Sequence, residues 1–173
     1  MNRPSEAERR NNFYRQAMSV YLRSLLWTIL CPGTVTLLLP CWLLSVPGWP
    51  EQPWTWRQWV GLAPVVAGGS VLLWCIYSFA RYGKGTLSPV DPARRLVITG
   101  LYRYVRNPMY VGVMAVLLGE ALLFGSLILL GYAGLVFLVF NVFIRLHEEP
   151  YLRRQFGEEY ARYCERVGRW WPR

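Results

Sequence analysis

Residues 108–144 read PMYVGVMAVLLGEALLFGSLILLGYAGLVFLVFNVFI, an apolar run whose only charged residue is Glu120. Wound as one α-helix at ~1.5 Å per residue, it would reach roughly 55 Å, against a bilayer hydrocarbon core of ~30 Å. The run is therefore expected to fold into two crossings, a hairpin that turns near Phe124-Gly125-Ser126. A single crossing would also place the arginine-rich segment after Arg145 on the opposite side from the other basic segments.

Working outward, two further apolar stretches precede the hairpin. The first runs from about Leu25 to Val46 and contains Pro32-Gly33 and Pro40, which predict a kink or break. The second runs from about Trp59 to Ala80, where Gly68-Gly69-Ser70 predicts close helix contact. Between them, residues 47–58 combine three prolines with Trp49, Trp54 and Trp56, the composition of a membrane–water interface. A hydrophobic content of 54% and an aromatic content of 16% agree with a membrane chain rather than a soluble domain. The net charge is +9, and every one of the 19 basic residues except Arg57 falls before the first span, in the 81–107 loop, or after the last span. Basic residues favour the cytoplasmic side. The expected architecture is thus an all-α integral membrane protein of about four transmembrane helices, multi-pass, with both termini cytoplasmic. In a bacterial cell that means the inner membrane. Apolar runs of this length displace a nucleic-acid reading of the charge. Cys31, Cys41, Cys75 and Cys164 form no C-x-x-C and accompany a single His, which argues against a metal or disulfide framework. They read as small core residues. The N-terminal apolar run is too long for a signal sequence and reads as a retained anchor.

The chain reads as one membrane domain over 1–173. Residues 1–80 supply a charged arm and two spans, and 81–173 carry the polar clusters. After Pro150, Leu152, Phe156, Tyr160, Tyr163 and Val167 recur every three to four residues among charged neighbours, which predicts a cytoplasmic amphipathic helix. Asn107 before Pro108 predicts a capped helix start. Such an end offers free N–H groups to an anion, or equally serves an interfacial belt. Arg145 stands three and four residues before Glu148 and Glu149, so the three can share a helix face. Pro150 disfavours helix at Glu149, which is therefore expected to start the next helix or to form a charged junction. A carboxylate pair beside an arginine suits a cationic or zwitterionic ligand. Glu120 is costly inside a span and is expected to find a structural partner across the helices. Gly83-Lys84-Gly85 reads as a loop, and His147 as a surface residue.

The order G-x-Y-R-Y-V-R-N-P-x-Y-x-G (Gly100–Gly112), apolar hairpin, Glu148-Glu149, then F-G-x-x-Y-x-x-Y-x-x-x-V (Phe156–Val167) resembles the isoprenylcysteine carboxyl methyltransferase and phospholipid methyltransferase superfamily. The resemblance covers residues 81–173. It implies S-adenosylmethionine as methyl donor and a cytoplasmic pocket lined by Leu96, Val97, Tyr102, Asn107, Pro108 and Tyr110. It further implies that Glu148, with Glu149, binds the methionyl amino group, and that Arg145 faces the acceptor or the cofactor carboxylate. Asn107 stands where the prenylcysteine enzymes carry His, and an amide cannot move a proton.

The function expected on these grounds is S-adenosylmethionine-dependent methyl transfer to a small apolar or lipid-like acceptor at the membrane surface. Two other readings compete, an NADPH-dependent membrane reductase of the sterol-reductase type and a non-catalytic assembly factor. Nucleic acid is not an expected partner; the lipid bilayer is.

Overall fold

The computed structural model describes residues 29–44, 55–78 and 96–173. The N-terminal arm, most of the tryptophan-rich connection and the Gly83-Lys84-Gly85 loop lie outside the described residues. Everything described is helical apart from short connections and one isolated bridge, Val105 to Gly168.

The first apolar segment begins as a π-helical stretch, Ile29–Leu38, and continues as a short α-helix, α1 (Leu39–Leu44). Proline at 32 and 40 removes backbone donors, and the chain answers by widening its winding rather than by breaking. Thr36 Oγ1 donates to the Pro32 carbonyl at 2.7 Å. Helix α2 (Trp56–Ser78) follows, then a 3₁₀ turn Gly100–Arg103, then the hairpin of α3 (Pro108–Phe124) and α4 (Leu127–Phe143). The hairpin turns where predicted. Gly125 adopts φ 60°, a left-handed conformation that favours glycine, and Ser126 caps α4 by accepting from the Leu129 N–H. A π-helical turn, Ile144–Glu148, leads into α5 (Glu149–Arg166).

Two helices are long and apolar enough to cross a bilayer, Trp56–Ser78 and the helical run that begins at Leu127; Pro32–Leu44 and Pro108–Phe124 are shorter apolar helices. The outer surface of α4 is strongly apolar, with Leu127 83% exposed and Leu138 62% exposed, as lipid contact requires and water would penalise.

Helices α2 and α3 run antiparallel in intimate contact. A Cβ at Gly68 would lie 2.5 Å from the Gly112 carbonyl oxygen, and one at Gly61 would lie 2.8 Å from that of Gly119. Each helix therefore offers two glycines two turns apart, and backbone meets backbone, the mode by which membrane helices associate without a hydrophobic driving force. Of the predicted Gly68-Gly69-Ser70 contact, only Gly68 takes part. Gly69 faces open space, and Ser70 Oγ donates back to the Val66 carbonyl at 2.8 Å. Gly68→Ala should cost about 1–3 kcal/mol by forcing the helices apart. Gly69→Ala should be neutral or gain up to ~1 kcal/mol from helix propensity. Thermal unfolding of both variants in one detergent checks the contrast.

The Arg57 guanidinium lies against the Gly125 turn, so the start of α2 and the α3–α4 turn share one end of the bundle. At the opposite end Trp74 packs over Gly100, and Cys75 is buried against Val97 and Tyr102. Cys41 is exposed and Cys164 half-buried, so of these three cysteines only Cys75 is a core residue; the side chain of Cys31 lies outside the described residues.

Helix α5 buries the predicted face. Tyr160, Tyr163 and Val167 form a cluster with Leu152, Phe156, Leu96 and Ile98. It is not one continuous helix, however, because Gly157 bends it with φ 52° and ψ −125°. That positive φ requires glycine.

Candidate active site

The polar clusters from both sides of the hairpin converge at the end of the bundle opposite Gly125. Five long-range pairs bring them together. Tyr163 Oη donates to the Tyr102 carbonyl at 2.6 Å, joining α5 to the 3₁₀ turn. The Arg106 N–H donates to the Gly168 carbonyl at 2.8 Å. The Arg106 guanidinium donates to Glu149 Oε1 at 3.1 Å and to Cys164 Sγ at 2.8 Å. Arg169 makes a bidentate pair with Glu149, 2.8 Å at each oxygen, and those hydrogen bonds raise its already high pKa.

Adjacent glutamates thus have different surroundings. Glu149 is held by two arginines from distant segments. Glu148 has no cationic partner among the described residues; Tyr110 Oη donates to its Oε2 at 2.9 Å. Tyr110 is itself positioned by Phe140 of α4, ring centroids 4.5 Å apart. Desolvation pushes the Glu148 pKa up and the negative Glu149 adds to it, while the Tyr110 hydrogen bond pulls it partly back. The site therefore holds a carboxylate whose ionised form is under-compensated, which is the electrostatic complement of a cation.

The π-helical turn explains how neighbouring residues come to point at different partners. Pro150 has no N–H to offer the Leu146 carbonyl, and the chain widens over Ile144–Glu148, with the Glu149 N–H reaching back to the Ile144 carbonyl. Glu149 is helical, φ −63° and ψ −43°, and is the first residue of α5, the helix start expected for it ahead of Pro150. The widening also undoes the shared face expected for Arg145. Arg145 is exposed and pairs with neither glutamate. His147 stacks at the surface on Phe143, centroids 5.6 Å apart.

Asn107 does occupy the N-cap position of α3 and is buried, but its side chain makes no capping hydrogen bond; its carbonyl accepts from the Val111 N–H at 3.2 Å. Pro108 is fully buried beside it. Leu96 and Val97 alternate in an extended segment, so that Leu96 packs on the α5 aromatics and Val97 on Cys75 and Tyr102. Tyr102 is buried, and its phenol pKa is raised first by desolvation and then by neighbouring Cys75, so it stays neutral at physiological pH. Burial likewise raises the pKa of Tyr160 and Tyr163. Glu120 sits within α3, and among the described residues its buried Oε2 has no hydrogen-bond partner; Tyr132 donates to the Val35 carbonyl at 3.1 Å.

No spacing along the chain points to the partners of Arg106, Arg169 or Trp170. Trp170 Nε1 donates to Asn141 Oδ1 at 3.1 Å, and its ring lies 5.0 Å from that of Phe137, which seats the C-terminal tail on α4.

Comparison with known proteins agrees with this geometry. The phospholipid methyltransferase family profile matches residues 56–159, which span α2, the hairpin, both glutamates and the first half of α5. A relative from Haemophilus influenzae, described only as an uncharacterized protein, is 43% identical over 64 residues, covering 36% of this chain and 98% of the relative. No solved structure matches the chain. With the family profile covering more than half of its length, the chain belongs to the phospholipid methyltransferase family, a family of membrane methyltransferases.

Proposed function

We propose that the protein transfers a methyl group from S-adenosylmethionine to an apolar or lipid-like acceptor at the membrane surface. The observation that carries this reading is Glu148, a desolvated carboxylate held in place by Tyr110 and without a cationic partner among the described residues, while its neighbour Glu149 has two. A cofactor with a methionyl ammonium and a sulfonium fits such a site. When bound, it supplies a methyl group that is already electrophilic. The protein's task is then to hold, orient and exclude water rather than to activate. Glu148 would bind the ammonium, with Tyr110 fixing its rotamer. Asn107 and Pro108 would border the same pocket at the start of α3, and Tyr102, neutral and buried, would support the wall. Leu96 and Val97 would close it against α5 and α2. Glu149 is read as the clamp that ties Arg106 and Arg169 across the site. Arg145, exposed at the membrane surface, is placed to meet an acceptor.

Lipid-like acceptors are favoured because the site lies at the end of α4, whose surface is an apolar belt. Four crossings with both termini on the arginine-rich side complete the reading. Arg57 and the Gly125 turn at one end, and Arg106, Glu149 and Arg169 at the other, support it.

The test is equilibrium binding to detergent-solubilised protein. S-adenosylhomocysteine is expected to bind saturably and raise the melting temperature, as mass action requires, and NADPH is expected to do neither. Binding of NADPH with no response to S-adenosylhomocysteine would overturn the proposal in favour of a reductase.

A further inference from the structure

The C-terminal tail shapes a second site. An open cleft of about 430 Å³ is lined by Arg106, Arg169, Trp170, Trp171 and Arg173. Glu148 and Tyr110 do not line it. Three guanidinium groups meet there with one carboxylate, Glu149, which Arg106 and Arg169 already share. Arg173 donates to the Glu165 backbone carbonyl at 3.0 Å and pairs with no side-chain carboxylate among the described residues. Arg106 Nε is buried and has no hydrogen-bond partner among the described residues. The cleft thus carries more guanidinium than carboxylate side chains.

Its position indicates which anion fits. Trp170 anchors the tail to Asn141 and Phe137, near the end of α4 where the apolar belt gives way to charge. Trp171, 78% exposed, stands beside the cleft, and Phe137 is 44% exposed on the neighbouring lipid-facing surface. Exposed tryptophan next to arginine is the pattern of a bilayer interface, and guanidinium forks match phosphate oxygens. We propose that this cleft binds the phosphate of an anionic phospholipid, with the acyl chains running along α4 past Phe137. The occupant is a bound lipid distinct from the methyl acceptor, and the inference does not depend on which cofactor the protein uses.

The experiment titrates the full chain in a non-ionic detergent with phosphatidylglycerol, with phosphatidylcholine and inorganic phosphate as separate arms, and follows tryptophan fluorescence and melting temperature. Phosphatidylglycerol is expected to bind at least about tenfold more tightly than phosphatidylcholine, and added salt to weaken it. Arg173→Gln should weaken it about three- to tenfold and Arg173→Glu further, with the lipid-free melting temperature unchanged because Arg173 is at the surface. Equal binding of phosphatidylglycerol by the Arg173→Glu variant and the parent would overturn the proposal. So would equal binding of the two lipids. Full competition by millimolar inorganic phosphate would do the same, marking a soluble-anion pocket instead.

Discussion

Glu148→Gln is expected to weaken cofactor binding roughly ten- to hundredfold while the ligand-free protein melts at or above the parent's temperature. The affinity loss follows from removing a charge-assisted contact worth ~1.5–3 kcal/mol. The stability gain follows from the sign of the Glu148 pKa shift. Desolvation raises that pKa in the folded protein, so the folded state holds the proton more tightly than the unfolded chain does. Its contribution to stability is therefore most favourable at low pH and is lost as pH rises from the ordinary carboxylate value through the raised one. Above the raised pKa the parent carries the ionised, desolvated carboxylate, and glutamine, which can still accept the Tyr110 hydrogen bond, does not. Cofactor affinity should run the other way, because only ionised Glu148 attracts an ammonium. Affinity should fall as pH drops into the same window, and that dependence should vanish in the Gln variant. Binding of S-adenosylhomocysteine across pH, with melting curves on the same preparations, checks both. Unchanged affinity in the Gln variant would remove Glu148 from the binding site. A large drop in ligand-free stability would make it a structural residue.

Glu149→Ala should behave in the opposite way, costing about 2–3 kcal/mol of stability and lowering the melting temperature by about 5–10 °C for a chain of this size. Its carboxylate is the shared partner of Arg106 and Arg169, with side-chain exposure of only 12%, 12% and 23% for Glu149, Arg106 and Arg169 respectively. Truncation leaves two guanidinium groups facing each other without a counter-charge, and for groups this buried that outweighs the Coulomb energy of the pair itself. The penalty stays below that of fully buried pairs because water reaches Arg169. Arg169→Gln should cost less, about 1–2 kcal/mol, since Arg106 still pairs with Glu149. Thermal unfolding of the three proteins in one detergent decides the matter. A Glu149→Ala variant melting within a degree of the parent would mean that the triad does not hold the site together.

These contrasting expectations for adjacent residues mark where reading the sequence stops. Hydropathy alone located α2, the hairpin and the turn at Gly125, because the length of an apolar run against the thickness of a bilayer is a property of the run itself. The spacing of Leu152, Phe156, Tyr160, Tyr163 and Val167 likewise placed the buried face of α5, because helical periodicity is local. The pairing of the Gly100–Gly112 segment with Glu148-Glu149 was legible as a juxtaposition of two polar clusters at one membrane surface.

The choice of partner was not legible. Arg106 and Arg169 stand 43 and 20 residues from Glu149, and only the folded loops and tail bring them within reach. Spacing pointed to Arg145, but the π-helical widening before Pro150 changes the local winding and undoes the shared face expected for it. Gly68 and Gly69 are indistinguishable by composition, yet one meets the Gly112 backbone and the other meets open space, because the rotation of α2 about its axis is set by the helix it packs against. The sequence by itself determined which segments are helical and which end of the bundle carries charge, because both depend on residues near one another in the chain. Tertiary structure alone decided that Glu149 pairs with Arg106 and Arg169 while Glu148 takes the Tyr110 hydroxyl, because electrostatic compensation depends on which side chains meet in space.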